Sequence, residues 1–406
     1  MDSYGDLGRA EVPHVHRILN EYNILEKQGP VPASVRSELC STLITASNFS
    51  DPPWKYEVMD RIKSLITGDF DCYIQARAAE RESSLLRQVG DKMGSIETLE
   101  RFIHSTVFAG HGREMDADAR WNAYRGDLVV SYAESLIQTS ELARARSELR
   151  EWEPIVPEFP STIEWLVLRT RNISLGRIFR FEGRFAEALV QFKAVLEDSQ
   201  DDGLYKESSW YPIIISHIAD MHCELGQPDS AIEVAEPALT HLTQRGWQVI
   251  SYGRRLQLAF IEALILIGSY TRAERYLYGL IPLYETMIKP NVPDRTAHFR
   301  AWACLARISH MNRRWDEALE RWREAATRLE QFRKGESFLG GIVWCSIAHC
   351  LAEMGKKDES DEVLGRVRPW VAKGREFWDL GFGTYWYEFV MSALGEEVKE
   401  MKELKI

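Results

Sequence analysis

The feature that most constrains this chain is an internal repeat with a period near 43 residues. Short turns, each followed by an alanine-containing helix, recur at spacings of 43, 42, 45 and 42 residues. The turns begin at Gly183, Gly226, Gly268, Arg313 and Gly355, an earlier copy begins at Ser140, and a weaker one begins at Gly94. A repeat of this size cannot bury its apolar side alone and must stack on its neighbours. The chain is therefore predicted to form a stacked array.

Each repeat is predicted to be a pair of helices. Apolar residues recur at steps of three and four, as in Leu305, Ile308 and Met311, which is the spacing of one helix face. A second apolar helix precedes every turn, for example at residues 173–182 and 302–311. Strand-like alternation of apolar and polar residues is nearly absent. We therefore predict an all-α fold built from helical hairpins.

The residues at fixed places in these hairpins resemble those of the tetratricopeptide repeat. In that family the first helix carries Leu and a small residue, and the turn carries Gly and an aromatic residue. The second helix then carries Ala, an aromatic residue and Ala. The best matches are Leu175, Gly176, Gly183, Phe185, Ala188 and Phe192 in one hairpin, and Leu305, Ala306, Trp315, Ala318, Trp322 and Ala325 in another. Small residues let two helices approach closely, and the aromatic ring fills the space beside them.

Some positions depart from the family pattern. Pro228 stands where an aromatic residue is expected, Ile261 takes the small position, and Ser360 replaces an alanine. The family usually repeats about every 34 residues. The resemblance covers residues 126–371 and implies a tetratricopeptide-like α-solenoid. The longer period leaves another array of α/α hairpins, or an α/α-toroid, as the alternative.

The repeat content divides the chain into three predicted regions. Residues 1–125 form a helical N-terminal region, which is either a cap or a set of degenerate repeats. Residues 126–372 form the repeat array, and residues 373–406 form a C-terminal capping helix with a charged tail. Solenoids need caps because their terminal repeats expose an apolar face. The aromatic residues of 377–389 leave a second interpretation open, in which they form the wall of a ligand pocket.

Composition argues against several classes of partner. The 406 residues carry 50 Lys and Arg against 61 Asp and Glu, whereas a nucleic-acid partner requires a basic surface. No apolar stretch is long enough to cross a bilayer, so we expect no membrane partner. The acidic N-terminus lacks the character of a signal peptide, and the six scattered cysteines include no CxxC pair. These features predict a cytoplasmic protein with reduced thiols.

Motifs that carry chemistry are not evident. The sequence contains no P-loop and no HExxH, GxSxG or strand-linked GxGxxG motif, so it predicts no catalytic residue and no cofactor. His14 and His16 lack a third ligand nearby in the sequence. Asp198, Asp201 and Asp202 are typical of a solvated loop between helices. We therefore predict no metal site.

The more informative positions lie on the first helix of each hairpin, which lines the inner groove in the tetratricopeptide family. The residue after each small position is predicted to point into that groove. These residues are all ionisable, and they are Glu134, Arg177, Asp220, Glu262, Arg307 and His349. Residues one turn away on the same helices add Arg180, Arg255, Arg300 and His310. A plain core does not accumulate such residues, because buried charges are costly.

Three interpretations of this charged groove stay open. In the first, the side chains form a structural ladder, Glu134–Arg177–Asp220 and Glu262–Arg307. In the second, the arginines bind carboxylates of a ligand, since the guanidinium group matches a carboxylate well. In the third, His310 or His349 acts beside Glu262 as an acid–base pair.

These interpretations correspond to different functions. We expect a scaffold or adaptor that binds a protein or peptide partner in the groove, because helical arrays offer extended concave surfaces. One alternative is a sensor or regulator that closes on a small molecule or a short peptide. The other is an enzyme whose pocket is enclosed by the helical array. The absence of a catalytic motif from the sequence favours the adaptor.

Overall fold

The computed structural model describes residues 4–48, 52–66, 70, 72–103, 118–197, 208, 210–287, 290–331, 337–372 and 383–395. Within these residues the chain is all-α, as the sequence predicts, with eighteen α-helices, a short 3-10 helix at Trp247–Val249 and no strand. The chain forms two compact units, Met1–Arg171 and Asn172–Ile406. The 43-residue period and the region boundaries at 125 and 372 stay predictions.

The first unit begins with a small helical bundle and continues with helical hairpins. Its helices are α1 (Tyr4–Gln28), α2 (Ala33–Ala46), α3 (Pro52–Leu65), α4 (Cys72–Val89), α5 (Lys92–Ile103), α6 (Ala119–Gln138) and α7 (Leu142–Glu151). Helices α1 to α4 share a core that includes Leu43 and Ile62, both fully buried. The hairpins α4–α5 and α6–α7 pack side by side, because α4 and α5 both contact α6.

The described residues of the second unit form five hairpins and one further helix, and the first helix of the first hairpin begins ten residues before the unit, at Thr162. The first helices of the hairpins are α8 (Thr162–Phe181), α10 (Trp210–Glu224), α12 (Ser251–Leu266), α14 (Val292–Met311) and α16 (Phe338–Glu353). The second helices are α9 (Phe185–Glu197), α11 (Pro228–Gln244), α13 (Tyr270–Glu285), α15 (Trp315–Glu330) and α17 (Lys357–Ala372), and α18 spans Gly383–Ala393. Neighbouring first helices also pack on one another, α10 on α12 and α12 on α14.

One type of turn closes the hairpins. After α8, Gly183 has a φ of 74°, and the amide of Arg184 donates to the carbonyl of Phe179 at 2.8 Å. This left-handed residue with its hydrogen bond back across the last turn terminates a helix and satisfies its free carbonyl groups. After α14 the same turn is formed by Arg313, with a φ of 56°, although this conformation strains any residue with a Cβ atom. Gly90, with a φ of 89°, closes α4–α5 in the same way, so the N-terminal region contains at least one such hairpin.

The contact between the helices of a hairpin explains the tetratricopeptide-like residues. A Cβ atom placed on Gly176 would lie 2.7 Å from the ring of Phe192, so only glycine permits this approach of α8 to α9. Phe192 and Ala188 are fully buried there. Ser360 replaces the usual alanine without leaving its hydroxyl unsatisfied, because Oγ donates to the carbonyl of Ala348 at 2.8 Å.

The thiols and the helix lengths complete this description. All six cysteines are buried and unbridged. Burial raises the pKa of Cys40 to about 11 and that of Cys350 to about 12, which makes both thiols poor nucleophiles at neutral pH. No helix within the described ranges is both long enough and apolar enough to cross a membrane.

Candidate functional site

The structure places the predicted groove residues on the first helices, but most of them are buried. Glu134 lies on α6 of the first unit, where it is half-buried. The other nine lie on α8, α10, α12, α14 and α16 of the second unit. Arg177 and Arg255 are half-buried. The buried ones are Arg180, Asp220, Glu262, Arg300, Arg307, His310 and His349. We define the inner face as the side of these five helices on which the seven buried residues lie.

Asp220 of α10 is the centre of one part of the inner face. Its carboxylate accepts from Arg180 Nη2 at 3.0 Å, and from Arg300 Nη2 at 2.6 Å and Nη1 at 3.2 Å. Arg300 lies on α14, two hairpins further along the chain, so the first helices must curve toward one another here. Burial by itself would raise the pKa of Asp220, but Arg300 and Arg180 lower it below its ordinary value. The carboxylate is therefore ionised.

His217, on the same helix, was not identified from the sequence. Its Nδ1 lies 3.2 Å from Arg180 Nη1 and its Nε2 lies 3.0 Å from Arg255 Nη2, while its ring stacks on Phe192 with centroids 4.5 Å apart. A neutral imidazole accepts a hydrogen bond at only one nitrogen. Only one of Arg180 and Arg255 can therefore donate to the ring in a given tautomer. The spacing of His217 and Asp220, three residues apart on a helix, was the sequence signal that both share a face.

The groups around His217 form an arginine cluster, which we define as Arg177, Arg180, Arg255 and Arg300. Burial lowers the pKa of His217 well below its ordinary value, and all four guanidinium groups lower it further. The histidine is therefore neutral at physiological pH. The four guanidinium groups add to the effect of burial, so this part of the inner face also disfavours a further positive charge.

Glu262 and Arg307 form a second buried part of the inner face. Their side chains are both fully buried, and Arg307 Nη1 donates to Glu262 Oε1. This pair belongs to the structural-ladder interpretation, one of the three that the sequence left open. The thiol of Cys304 lies 3.7 Å from the other carboxylate oxygen. The predicted ladder through Asp220 differs, since the partners found for Asp220 are Arg180 and Arg300.

His310 and His349 form a third part, in which the proton positions follow from the donors. The indole Nε1 of Trp322 donates to His310 Nδ1 at 3.2 Å, and an indole nitrogen only donates. His310 therefore carries its proton on Nε2 and donates to His349 Nδ1 at 2.7 Å. Burial lowers the pKa of His310 to about 3, with a further contribution from His349. With Glu262 bound to Arg307, the acid–base interpretation gains no support from this geometry.

Helix α18 lies against this inner face. It packs on α16 and also on α10, and the amide of Gly383 donates to Glu224 Oε1 at 3.2 Å. The side chain of Trp386 is fully buried, and the guanidinium carbon of Arg307 lies 5.1 Å from the centre of its ring. Of the aromatic residues that the sequence assigned to a cap or to a pocket wall, Phe377, Trp378 and Phe382 lie outside the described residues.

Among the described ranges, no group of three or more His, Cys, Asp and Glu side chains is arranged to bind a metal. The ring of His16 contacts that of Trp54, with centroids 4.6 Å apart. Asp198, Asp201 and Asp202 lie outside the described residues.

Comparisons with known proteins identify the fold. No protein-family model matches the chain, and no curated protein sequence matches it. A Rap protein solved in complex with Competence and Sporulation Factor is similar in structure, with a TM-score of 0.56 and 13% identity over 79% of this chain and 82% of that one. The apo form of RapI gives a TM-score of 0.54 and 12% identity over 91% of this chain and 98% of that one. The chain therefore has the fold of a tetratricopeptide-like helical repeat protein.

Proposed function

We propose that the inner face of the second unit binds a protein or peptide partner and that the arginine cluster holds a carboxylate of that partner. The observation that carries this proposal is the concentration of four guanidinium groups near His217, of which Arg180 and Arg300 bind Asp220 and Arg180 and Arg255 lie within hydrogen-bond distance of the imidazole. Arg180 and Arg300 are bound to Asp220 and buried. They form the fixed base of the cluster.

Arg177 and Arg255 supply the part of the cluster that can reach a ligand. Both are half-buried, so their side chains retain access to solvent. His217 can accept from Arg255 or from Arg180 but not from both in one tautomer, and a ligand carboxylate is a stronger acceptor for Arg255 than the imidazole. A guanidinium group can donate two parallel hydrogen bonds to a carboxylate. We infer that Arg255 turns from His217 to the ligand, with Arg177 beside it.

The comparison supports this assignment at the level of the fold. The Rap protein was solved with a bound factor, so an array of this fold can hold a ligand. Helical arrays present extended concave surfaces to which peptides bind. A partner with an acidic side chain or a free C-terminus fits the positive potential at His217. The scaffold or adaptor function expected from the sequence is therefore our proposal for this chain.

A pool of synthetic decapeptides of random sequence tests the proposal, because it samples many arrangements of carboxylates at once. The full chain, Arg255→Gln and Arg275→Gln are each used to capture peptides from the same pool. Arg275 is an exposed arginine on the second helix α13 and serves as the matched control. We expect the wild type and Arg275→Gln to retain peptides rich in Asp or Glu, and Arg255→Gln to lose them. Equal recovery by all three proteins would assign the cluster a structural role only.

A further inference from the structure

We propose that the surface beneath α18 is a second binding site, which accepts an amphipathic helix carrying a tryptophan from a partner and is filled by α18 in the free protein. We call this surface the α18 seat, and its residues include Glu224, Arg307, Trp322 and Ser346. This inference rests on the proposed function, because it places the partner on the same inner face. It depends on residues other than the arginine cluster.

The α18 seat recognises an indole ring in three ways. Trp386 Nε1 donates to Ser346 Oγ at 2.9 Å, so the polar edge of the indole has an acceptor. Its ring stacks on that of Trp322, with centroids 5.8 Å apart and planes inclined by 29°. Arg307, held by Glu262, contributes a cation 5.1 Å from the ring centre. A hydrogen-bond acceptor, an aromatic wall and a cation together select tryptophan over an aliphatic side chain.

The remaining contacts of α18 follow the spacing of a helix bound in a groove. Trp386, Phe389 and Val390 stand at positions i, i+3 and i+4, which place them on one face. The ring of Phe389 lies 5.0 Å from that of Trp386 and 6.1 Å from that of His310, and Val390 is fully buried. Tyr385 is exposed on another face. The α18 seat therefore accepts a short amphipathic helix in this register.

Two observations indicate that α18 is exchangeable rather than a fixed part of the array. Its buried apolar side chains are Trp386, Val390 and Met391, whereas α16 is buried along nearly its whole length. Segments with few buried contacts open before the rest of a fold. A cavity of about 290 Å³ also lies between α18 and the array, lined by Tyr385 and Trp386 of α18 itself and by residues that include Tyr270 and Arg307. A partner helix can fill this space, which α18 leaves open.

Because α18 belongs to the same chain as the α18 seat, a partner helix must compete with it. A segment tethered near its own site has an effective concentration in the millimolar range, so a partner must displace it. The wild-type protein then binds a competing helix weakly. A change that weakens α18 without altering the seat exposes the site.

The direct test uses the chain's own helix as the probe. A fluorescently labelled synthetic peptide of residues 383–395 is titrated into the full chain, Trp386→Ala and Trp210→Ala, with binding followed by anisotropy. Trp210 is an exposed tryptophan at the start of α10 and serves as the control. We expect Trp386→Ala to bind the peptide at least about tenfold more tightly than the other two proteins. A peptide with Ala in place of its Trp should not bind. Equal binding by three folded proteins would overturn the proposal.

Hydrogen exchange on the wild type keeps the test decisive if Trp386→Ala fails to fold. The amides of α18 should exchange at least about tenfold faster than those of α16. Equal protection would make α18 a permanent part of the array and would overturn the proposal. If the wild type formed a dimer that Trp386→Ala lost, the α18 seat would bind a second copy of the chain. That result would also overturn the proposal.

A combined variant separates this proposal from the arginine cluster. Adding Arg255→Gln to Trp386→Ala should leave the affinity for the 383–395 peptide unchanged. If the decapeptide capture failed while this affinity stayed unchanged, the assignment of the arginine cluster as a binding site would be refuted and that of the α18 seat would not. Loss of the peptide on adding Arg255→Gln would instead show that the two sites are one, and would overturn a separate seat.

Discussion

The buried pair Glu262–Arg307 gives the sharpest prediction about stability. Both side chains are fully buried, so removing one of them leaves an uncompensated charge away from water. We expect Glu262→Gln, which keeps the shape of the side chain, to lower the free energy of unfolding by about 3 to 5 kcal/mol. Replacing both residues, Glu262→Leu together with Arg307→Met, should instead give a stability close to that of the wild type, because well-packed apolar side chains of similar volume commonly match a buried ion pair.

The matched control is the same substitution in an exposed pair. Glu236 accepts from Arg272, with side chains 48% and 42% exposed, and it links neighbouring hairpins as Glu262 does. Because water screens this pair, Glu236→Gln should cost no more than about 1 kcal/mol. Urea unfolding at neutral pH, followed by circular dichroism, measures all the variants. If Glu262→Gln cost no more than Glu236→Gln, the reasoning from burial would be refuted.

Three further predictions concern protonation and packing. The pKa of His310 is about 3 in the folded chain, whereas that of an unfolded histidine is near 6.5. Its contribution to stability is therefore intact above pH 6.5 and is lost progressively as the pH falls toward 3. Urea unfolding should show about 1.4 kcal/mol lost per pH unit from this group below about pH 6, a slope that His310→Gln should reduce. Arg313→Gly should raise the free energy of unfolding by about 1 kcal/mol, because glycine adopts the left-handed conformation without strain; an unchanged midpoint would contradict this. Gly176→Ala should lower the melting temperature, at a cost of about 1 to 3 kcal/mol, because its Cβ atom meets the ring of Phe192; an unaltered melting curve would show that the ring moves aside.

The sequence was sufficient for the fold because its signals are local. Helical periodicity, the turn residues and the pairing of Gly176 with Phe192 all act within one hairpin. The pair Glu262–Arg307 was among the open interpretations, since equivalent positions of consecutive repeats lie next to each other. Each of these inferences needed only the spacing of residues within a repeat or between neighbours.

The contacts that define the candidate site were beyond such reasoning. Arg300 reaches Asp220 across an intervening hairpin, and this depends on the curvature of the first helices. Curvature results from many small differences in side-chain volume at the helix contacts, which a repeat pattern does not encode. The return of α18 to α10 and α16 likewise depends on a distant contact between Trp386 and Trp322. For the same reason, residues predicted to face an open groove are mostly buried.

The most direct test of the central claim is the affinity of one captured acidic decapeptide for three forms of the full chain. Titration calorimetry is carried out on the wild type, Arg255→Gln and Arg275→Gln. A charge-assisted hydrogen bond contributes about 1.5 to 3 kcal/mol, so Arg255→Gln should bind roughly tenfold to a hundredfold more weakly while Arg275→Gln matches the wild type. Equal affinities for all three proteins would contradict the assignment of the arginine cluster as the carboxylate site.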